Sequence, residues 1–221
     1  MILSIKPNGD ATLCSKSVDR FFETYIGAVR SFIQTMGISM HDAEDLSQEI
    51  FSSIHHSDQY PHLHPDKGRM RAYLKAIAKN RVLEFHRKNT RLKRGGKQRD
   101  LSLDDFTLPD NTADPDREFD KKWAYRLLEL THSQLEEDYS KKGRGDLFQA
   151  LYPSITSDAE SGFYKEIAEK LKSTVGAIKV ASYRMRQKYR EALRSQVALT
   201  VGSESEVDEE LLSLFKILSG E

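Results

Sequence analysis

The sequence predicts an all-α protein with two small helical domains, joined by an extended acidic linker, the second domain containing a helix-turn-helix. Apolar residues recur at helical spacing along most of the chain, and no stretch alternates convincingly with the period of two that a strand requires. The 34 Lys and Arg balance the 34 Asp and Glu, but the charge is segregated. Residues 67–99 carry a net charge of +12 and residues 165–194 carry +6, whereas residues 100–120 carry −7. Two basic helical blocks separated by an acidic one indicate two polyanion-binding modules and a linker.

The composition limits the class of protein. A length of 221 residues allows one large domain or two small ones. No apolar run approaches the length of a membrane span, and the first residues lack the pattern of a secretory signal. The single cysteine, Cys14, excludes an internal disulfide framework and fits a reducing compartment. We therefore expect a cytoplasmic protein without membrane association.

The first predicted domain covers residues 17–94 and follows a flexible N-terminal segment at residues 1–16. Helical spacing of apolar residues predicts one helix over 17–37 and a second that begins at Ser39, where Ser-Met-His-Asp resembles a capping box. The second helix has one apolar face and one acidic face. A third amphipathic helix over 69–88 has a basic polar face.

Between the second and third helices lies HHSDQYPHLH, residues 55–64, with four of the seven histidines of the chain. Imidazole is a common metal ligand, but a zinc site usually has further ligands at a recognisable spacing, often Cys. The sequence contains no CxxC and no HExxH motif. We interpret the stretch as a polar loop, because Ser, Asp and Pro interrupt it, and keep a metal site as the less favoured alternative.

The second predicted domain covers residues 121–196 and follows a linker at residues 95–120, which bears Gly, Asp and Pro. Its segment 163–194 has a short helix, a tight break and a longer basic helix, which is the order of a helix-turn-helix. In that motif the second helix enters the major groove, and its first residues reach base edges. The candidate DNA contacts are Ser173, Thr174, Gly176, Ala177, Lys179, Ser182, Tyr183 and Arg186. The alternative is an ordinary helical hairpin with a basic face.

The acidic C-terminal extension, residues 197–221, has an apolar stripe at helical spacing. Such a stripe usually packs within its own chain, so we expect it to lie on the second domain. The alternatives are a docking site for a regulator and a cover for a basic helix by the acidic face of the extension. A related hypothesis is that the two domains clasp each other in the free chain, with acidic segments on the basic helices, and that raised salt loosens the clasp.

Three motifs resemble those of bacterial RNA polymerase sigma factors of the extracytoplasmic-function (ECF) type. DAEDLSQEIF (42–51) resembles the core-binding helix, RMRAYLKAIAKNRVLEFHRK (69–88) the promoter −10 helix, and YKEIAEKLKSTVGAIKVASYRMRQKYREAL (164–193) the −35-binding helix-turn-helix. The motifs occur in the order and at the spacing of the family, so together they are far more specific than any one alone. Two departures are Lys172, where family members usually have Gly, and a longer insertion at 136–158.

The resemblance implies a sigma factor that binds core RNA polymerase, recognises and melts the −10 element of promoter DNA, and binds the −35 element. The acidic helix is implied to dock on the clamp helices of the largest polymerase subunit, and the protein also to contact the flap of the second subunit. An anti-sigma or other regulatory protein stays open as a further partner. The core-binding residues are expected to be Asp42, Asp45, Gln48 and Glu49, because carboxylates four apart share a helix face.

The basic helix 69–88 is implied to hold the melted −10 strand, which requires cations for the phosphates and a pocket for an unstacked base. The histidine-rich stretch is then the specificity loop, where Tyr60 or a His ring stacks on a flipped base. The acidic linker is implied to thread the RNA exit path. The expected −10 contacts are Tyr60, Tyr73, Lys75, Lys79, Asn80, Arg81 and Lys88.

Two other classes of function compete with this prediction. A stand-alone helix-turn-helix transcription regulator binds duplex DNA without polymerase and has no need of the acidic helix. An enzyme is disfavoured, because the sequence contains no P-loop, nucleophile elbow or dinucleotide fingerprint. We therefore expect no catalysis, no cofactor and no metal.

Overall fold

The computed structural model describes residues 11–56, 70–93, 114–156 and 162–220, and these residues form α-helices and no strand. The predicted all-α class is confirmed. The helices are α1 (Ala11–Thr35), α2 (Met40–His56), α3 (Met70–Lys93), α4 (Pro115–Lys141), α5 (Gly145–Leu151), α6 (Pro153–Thr156), α7 (Phe163–Lys170), α8 (Val175–Ala198) and α9 (Val207–Ser219).

The chain divides into two compact units. The first unit contains Met1–Arg126 and Ala198–Glu221, and the second contains Leu127–Val197. The boundary between Arg126 and Leu127 falls inside α4. The prediction of an extended linker over 95–120 is therefore wrong for its last residues, since α4 begins at Pro115; residues 95–113 lie outside the described part of the chain.

Helices α1, α2 and α3 pack together in the first unit. Tyr25, Val29 and Ile33 of α1 are buried one helical turn apart, and Ile50 of α2 and Leu74 of α3 are fully buried as well. The apolar spacing that predicted three amphipathic helices is thus the spacing of the core. The predicted flexible segment 1–16 is wrong at its end, because α1 begins at Ala11.

The first unit also contains the start of α4 and all of α9. Phe119 and Trp123 of α4 are 0% exposed, as are Val207 and Leu214 of α9. The Phe119 ring meets the Phe32 ring of α1 edge-on at a centroid distance of 6.2 Å. The expectation that the C-terminal stripe lies on the second domain is therefore wrong. An apolar stripe indicates that a helix face is buried but does not identify the surface that buries it.

The second unit has its own core. A buried cluster joins Leu135 of α4, Phe148 of α5, Ile167 of α7, and Ile178 and Met185 of α8. In addition, α4 ends in a Schellman motif, where Arg144 N–H donates to the Tyr139 carbonyl (2.9 Å) and Gly143 N–H to the Ser140 carbonyl (2.9 Å). Gly143 adopts φ +64°, which the motif requires. The long α4 therefore stops where α5 can return to the core.

Among the described residues, no helix combines the length and the apolar character needed to cross a membrane.

Candidate functional site

The acidic face of α2 is exposed, and its position is fixed by a capped helix start. Ser39 accepts a hydrogen bond from Asp42 N–H (3.2 Å) and donates one to the Asp42 carboxylate (2.7 Å). The predicted cap at Ser39 is thereby confirmed, and Asp42 has a structural role in it. On the opposite face of the helix, Ala43 and Ile50 are 0% exposed, which holds α2 in the core.

Three of the four residues predicted to bind core polymerase lie together on this face. Asp45, Gln48 and Glu49 are exposed. With Ser52 and Ser53 they line one open depression on α2. These three side chains are accessible to an external partner, whereas Asp42 is half-buried in the first turn of the same helix.

The basic helix α3 is divided along its length. Leu74, Ala78 and Val82 form its buried face. Of the residues predicted to contact the −10 element, the structure places Lys79, Asn80 and Lys88 in solvent, whereas Tyr73, Lys75 and Arg81 are half-buried. Arg81 pairs with Glu84 on the same helix at 2.9 Å.

At the start of α3, Arg71 is bound by side chains from α4 and α9. Its Nε and Nη2 donate to the two carboxylate oxygens of Glu210 at 2.8 and 2.9 Å, and Nη1 donates to Asp120 at 2.7 Å. The guanidinium carbon lies 4.2 Å from the centre of the Trp123 ring, and Ser213 accepts a further bond from Nη2 at 2.9 Å. Arg71 is 7% exposed and Glu210 is 1% exposed, so this is a buried, two-pronged ion pair.

The next cation on α3 is held by the same acidic segment. The Lys75 ammonium lies 3.1 Å from Asp116 and 3.0 Å from Asp120, and 5.3 Å from the centre of the Phe119 ring. Lys75 was predicted to bind a DNA phosphate. In this structure its charge is already paired with two carboxylates.

The charges of this cluster affect the proton affinities of its members. Burial alone would lower the pKa of Arg71, but the hydrogen bonds and charge of Glu210, and then of Asp120, raise that pKa above its usual value. Burial raises the pKa of the Tyr25 hydroxyl, and the nearby Glu210 carboxylate raises it further. At neutral pH the cluster therefore contains a charged guanidinium and a neutral phenol.

The turn between α7 and α8 is a second Schellman motif. Ser173 N–H donates to the Ala168 carbonyl (2.8 Å), and Lys172 N–H donates to the Glu169 carbonyl (3.2 Å). Lys172 adopts φ +50°, the left-handed conformation that glycine takes most easily. The departure from glycine noted in the sequence thus leaves the turn intact, with a lysine in an unfavourable conformation and exposed to solvent.

The start of α8 is presented to solvent. The Thr174 hydroxyl accepts a bond from Ala177 N–H at 3.2 Å and caps the helix. Six of the eight predicted −35 contacts are exposed: Ser173, Thr174, Gly176, Ala177, Lys179 and Tyr183.

The other two predicted −35 contacts face the inside of the unit. Ser182 is 1% exposed and shares hydrogen bonds with Ser154 (3.0 Å) and Tyr164 (3.4 Å). Arg186 donates from Nε (3.0 Å) and Nη2 (2.8 Å) to the Ser154 carbonyl. Both bind α6 to α8, and neither presents its polar group to DNA in this structure. The prediction erred because Ser182 is four residues after buried Ile178 and therefore shares its helix face.

Three residues, Val180, Arg184 and Arg71, were not among the site residues predicted from the sequence. Val180 is 49% exposed, and Arg184 is exposed beside it on the outer face of α8. The spacing of Ile178 and Met185 defines the inner face and would have identified both. Arg71 was missed because its partners are 49 and 139 residues away in the sequence, and no local pattern links them.

Tyr60 and the histidines that follow it lie outside the described residues, so the specificity-loop hypothesis stays a prediction. Within the described part of the chain, no group of three or more His, Cys, Asp or Glu is arranged to hold a metal ion.

One family model matches part of the first unit. Residues 21–92, which include α2 and nearly all of α3, match the family model for sigma-70 region 2, about a third of the chain. The match supports a sigma-70 family sigma factor with a role in promoter recognition, and it implies core RNA polymerase and promoter DNA as partners. A search of the curated proteins and a search of the solved structures found no match.

Proposed function

We propose that this chain is a sigma factor of the ECF type, which acts in the cytoplasm and has no catalytic activity of its own. It binds core RNA polymerase through α2, melts the −10 element with α3 and residues 57–69 before it, and binds the −35 element through α8. The observation that carries the proposal is the sigma-70 region 2 match, within which α2 exposes an acidic face.

The face of α2 suits a basic protein surface, such as the clamp helices of the largest polymerase subunit. Asp45 and Glu49 are four residues apart and share one depression with Gln48. Because the apolar face of α2 is buried in the core, the backbone that carries these carboxylates is already fixed, and only their side chains lose freedom when they pair. The same proposal includes a contact with the flap of the second polymerase subunit.

The −10 function is assigned to the exposed part of α3. Lys79 and Lys88 are exposed and suit the phosphates of a single strand, and Asn80 offers an amide to a base edge. Tyr73, which is half-buried two residues before Lys75, stays in the proposed set of −10 contacts. Tyr60, outside the described residues, completes the proposed set.

The −35 function is assigned to the outer face of α8. Gly176 and Ala177 are small and allow a close approach to DNA, and Lys179 and Arg184 are exposed donors for phosphates or guanine. Val180 and Tyr183, at 49% and 63% exposed, offer apolar surface to thymine methyl groups. We therefore replace Ser182 and Arg186 by Val180 and Arg184 in the proposed set of base-contacting residues.

A stand-alone helix-turn-helix regulator is the second candidate. The exposed face of α8 is compatible with it, but the exposed acidic face of α2 then has no role. Binding to polymerase therefore separates the two functions.

The test is binding of the full chain to bacterial core RNA polymerase. We expect tight binding by the parent and a loss of about 100-fold or more for Asp45→Arg/Glu49→Arg, because two like charges then face the basic partner. The matched control is Glu137→Arg/Asp138→Arg, which makes the same charge change on α4 and should bind as the parent does. Specific duplex binding without any binding to core polymerase would favour the stand-alone regulator.

A further inference from the structure

We propose that the carboxylates of α4 and α9 stand in for DNA phosphates on α3, and that α9 and the start of α4 leave α3 when the chain engages a promoter. The lock consists of Arg71, Lys75, Asp116, Asp120 and Glu210. The inference rests on the proposed function, since it is the −10 helix that is locked.

The geometry at Arg71 is that of a phosphate site filled by carboxylates. The guanidinium uses Nε and Nη2 to bind both oxygens of Glu210 and uses Nη1 to bind Asp120. A guanidinium binds carboxylate and phosphate in the same two-pronged way. Lys75, one turn further along α3, is likewise paired with Asp116 and Asp120. Arg71 and Lys75, the first two cations of α3, are thus already paired with carboxylates.

The cations and the anions of the lock come from different parts of the chain. Arg71 and Lys75 lie inside the matched region 2 domain, residues 21–92. All three carboxylates lie beyond it, on α4 and α9. Charge complementarity therefore joins the promoter-binding helix to two segments that region 2 does not itself contain.

The connectivity argues that both segments must detach on a promoter. The −10 and −35 elements are centred about 25 base pairs apart, which is about 85 Å of B-DNA at about 3.4 Å per base pair. The first and second units are joined by consecutive residues of α4, Arg126 and Leu127. Between Val197 of the second unit and Val207, where α9 begins, lie only residues 198–206, which extend to about 30 Å at most. Neither connection spans the distance while α4 and α9 stay on α3.

The lock is tested by measuring how the full chain binds a fluorescein-labelled single-stranded DNA of mixed sequence, by fluorescence anisotropy over a range of salt concentrations. Glu210→Gln and Asp120→Asn each weaken the lock, and Glu209→Gln, an exposed neighbour on α9, makes the same charge change outside it. In the two lock variants we expect the plot of log affinity against log salt to become steeper by about 0.7 for each additional phosphate that the protein neutralises. We expect Glu209→Gln to match the parent.

Each outcome decides the proposal. The double variant Arg71→Gln/Glu210→Gln weakens the lock without freeing a guanidinium. Its plot of log affinity against log salt should therefore be less steep than that of Glu210→Gln, because the contribution of Arg71 is missing. A slope unchanged from the parent in folded Glu210→Gln and Asp120→Asn would overturn the lock. Failure of both to fold, seen as loss of the helical circular dichroism signal, would show that α9 is a permanent part of the first unit and would also overturn it. If the parent binds core polymerase, these negative results leave the sigma-factor proposal in place; if it does not, that proposal fails independently.

Discussion

Helices α3 and α8 are both basic in sequence, but their cations have different surroundings. On α3, Arg71 is 7% exposed and is bound by Glu210, Asp120 and Trp123. On α8, Lys179 and Arg184 are exposed. The net charge of a helix therefore indicates a polyanion-binding surface only after the carboxylates of distant segments have been located. The comparison separates cations that stabilise the fold from cations that are exposed to solvent.

The largest expected effect is the loss of the Arg71 charge. Arg71→Gln leaves Glu210 buried without its partner, so we expect the free energy of unfolding of the first unit to fall by about 3–5 kcal/mol in urea denaturation. Lys79→Gln, on the exposed part of the same helix, should change it by less than about 0.5 kcal/mol. Arg71→Gln/Glu210→Gln should recover part of the loss. Equal losses of unfolding free energy in Arg71→Gln and Lys79→Gln would contradict the contrast between buried and exposed cations.

The buried phenol of Tyr25 predicts a loss of stability at alkaline pH. Because burial raises the pKa of Tyr25 in the folded state, its contribution is complete below the unfolded pKa of about 10 and is lost as the pH rises toward the folded value. We expect the unfolding free energy of the first unit to fall above pH ~10, by up to about 1.4 kcal/mol per pH unit from this group. Tyr25→Phe should have a shallower alkaline limb in urea titrations. An identical limb would show that Tyr25 ionises equally in both states.

The inward-facing Ser182 should affect stability and leave DNA binding unchanged. Ser182→Ala removes its hydrogen bonds with Ser154 and Tyr164, which should cost about 1 kcal/mol in thermal unfolding of the second unit. Its affinity for duplex DNA should equal that of the parent, whereas Lys179→Ala should weaken binding and reduce the salt dependence. A Ser182→Ala variant with normal stability and weakened DNA binding would return Ser182 to the proposed −35 surface.

The smallest expected effect lies in the turn before α8. Lys172→Gly relieves the left-handed conformation at φ +50° and should stabilise the second unit by about 0.5–1 kcal/mol. Gly143→Ala in the equivalent turn after α4 should destabilise the second unit by about 1 kcal/mol, because φ there is +64°. The new Cβ meets no atom within 4 Å, so this cost comes from the backbone conformation alone. Differential scanning calorimetry measures both. A destabilised Lys172→Gly variant would show that the lysine side chain makes a compensating contribution.

The sequence predicted local structure better than long-range contacts. Helical spacing indicated the amphipathic helices, and the Ser39 cap was identified because its donor and acceptor are three residues apart. The docking of α9 was assigned to the wrong domain, because an apolar stripe carries no information about its partner. Its buried face also contains Glu210, a residue that burial statistics place at the surface unless it is paired.

The site predictions show the same division. On α2, the acidic face follows from the helical period alone, and the structure exposes it as expected. On α8, Ser182 and Arg186 were chosen by their position along the sequence, although the helical period turns Ser182 inward. On α3, Lys75 was predicted to contact DNA. Its actual partners, Asp116 and Asp120, lie more than forty residues away in the sequence, so no local pattern indicates the pairing. Residue type and local period identify a candidate surface, but only the tertiary fold shows which charges are already paired.

The most direct test of the central claim is transcription in vitro by bacterial core RNA polymerase, with and without the purified chain, on a library of promoter fragments, with the start sites mapped. The account predicts transcripts that begin at defined sites only when the chain is present. It also predicts that Asp45→Arg/Glu49→Arg abolishes them and Glu137→Arg/Asp138→Arg does not. Core polymerase that gains no specific start sites, although the chain is folded and bound to duplex DNA, would contradict the sigma-factor assignment.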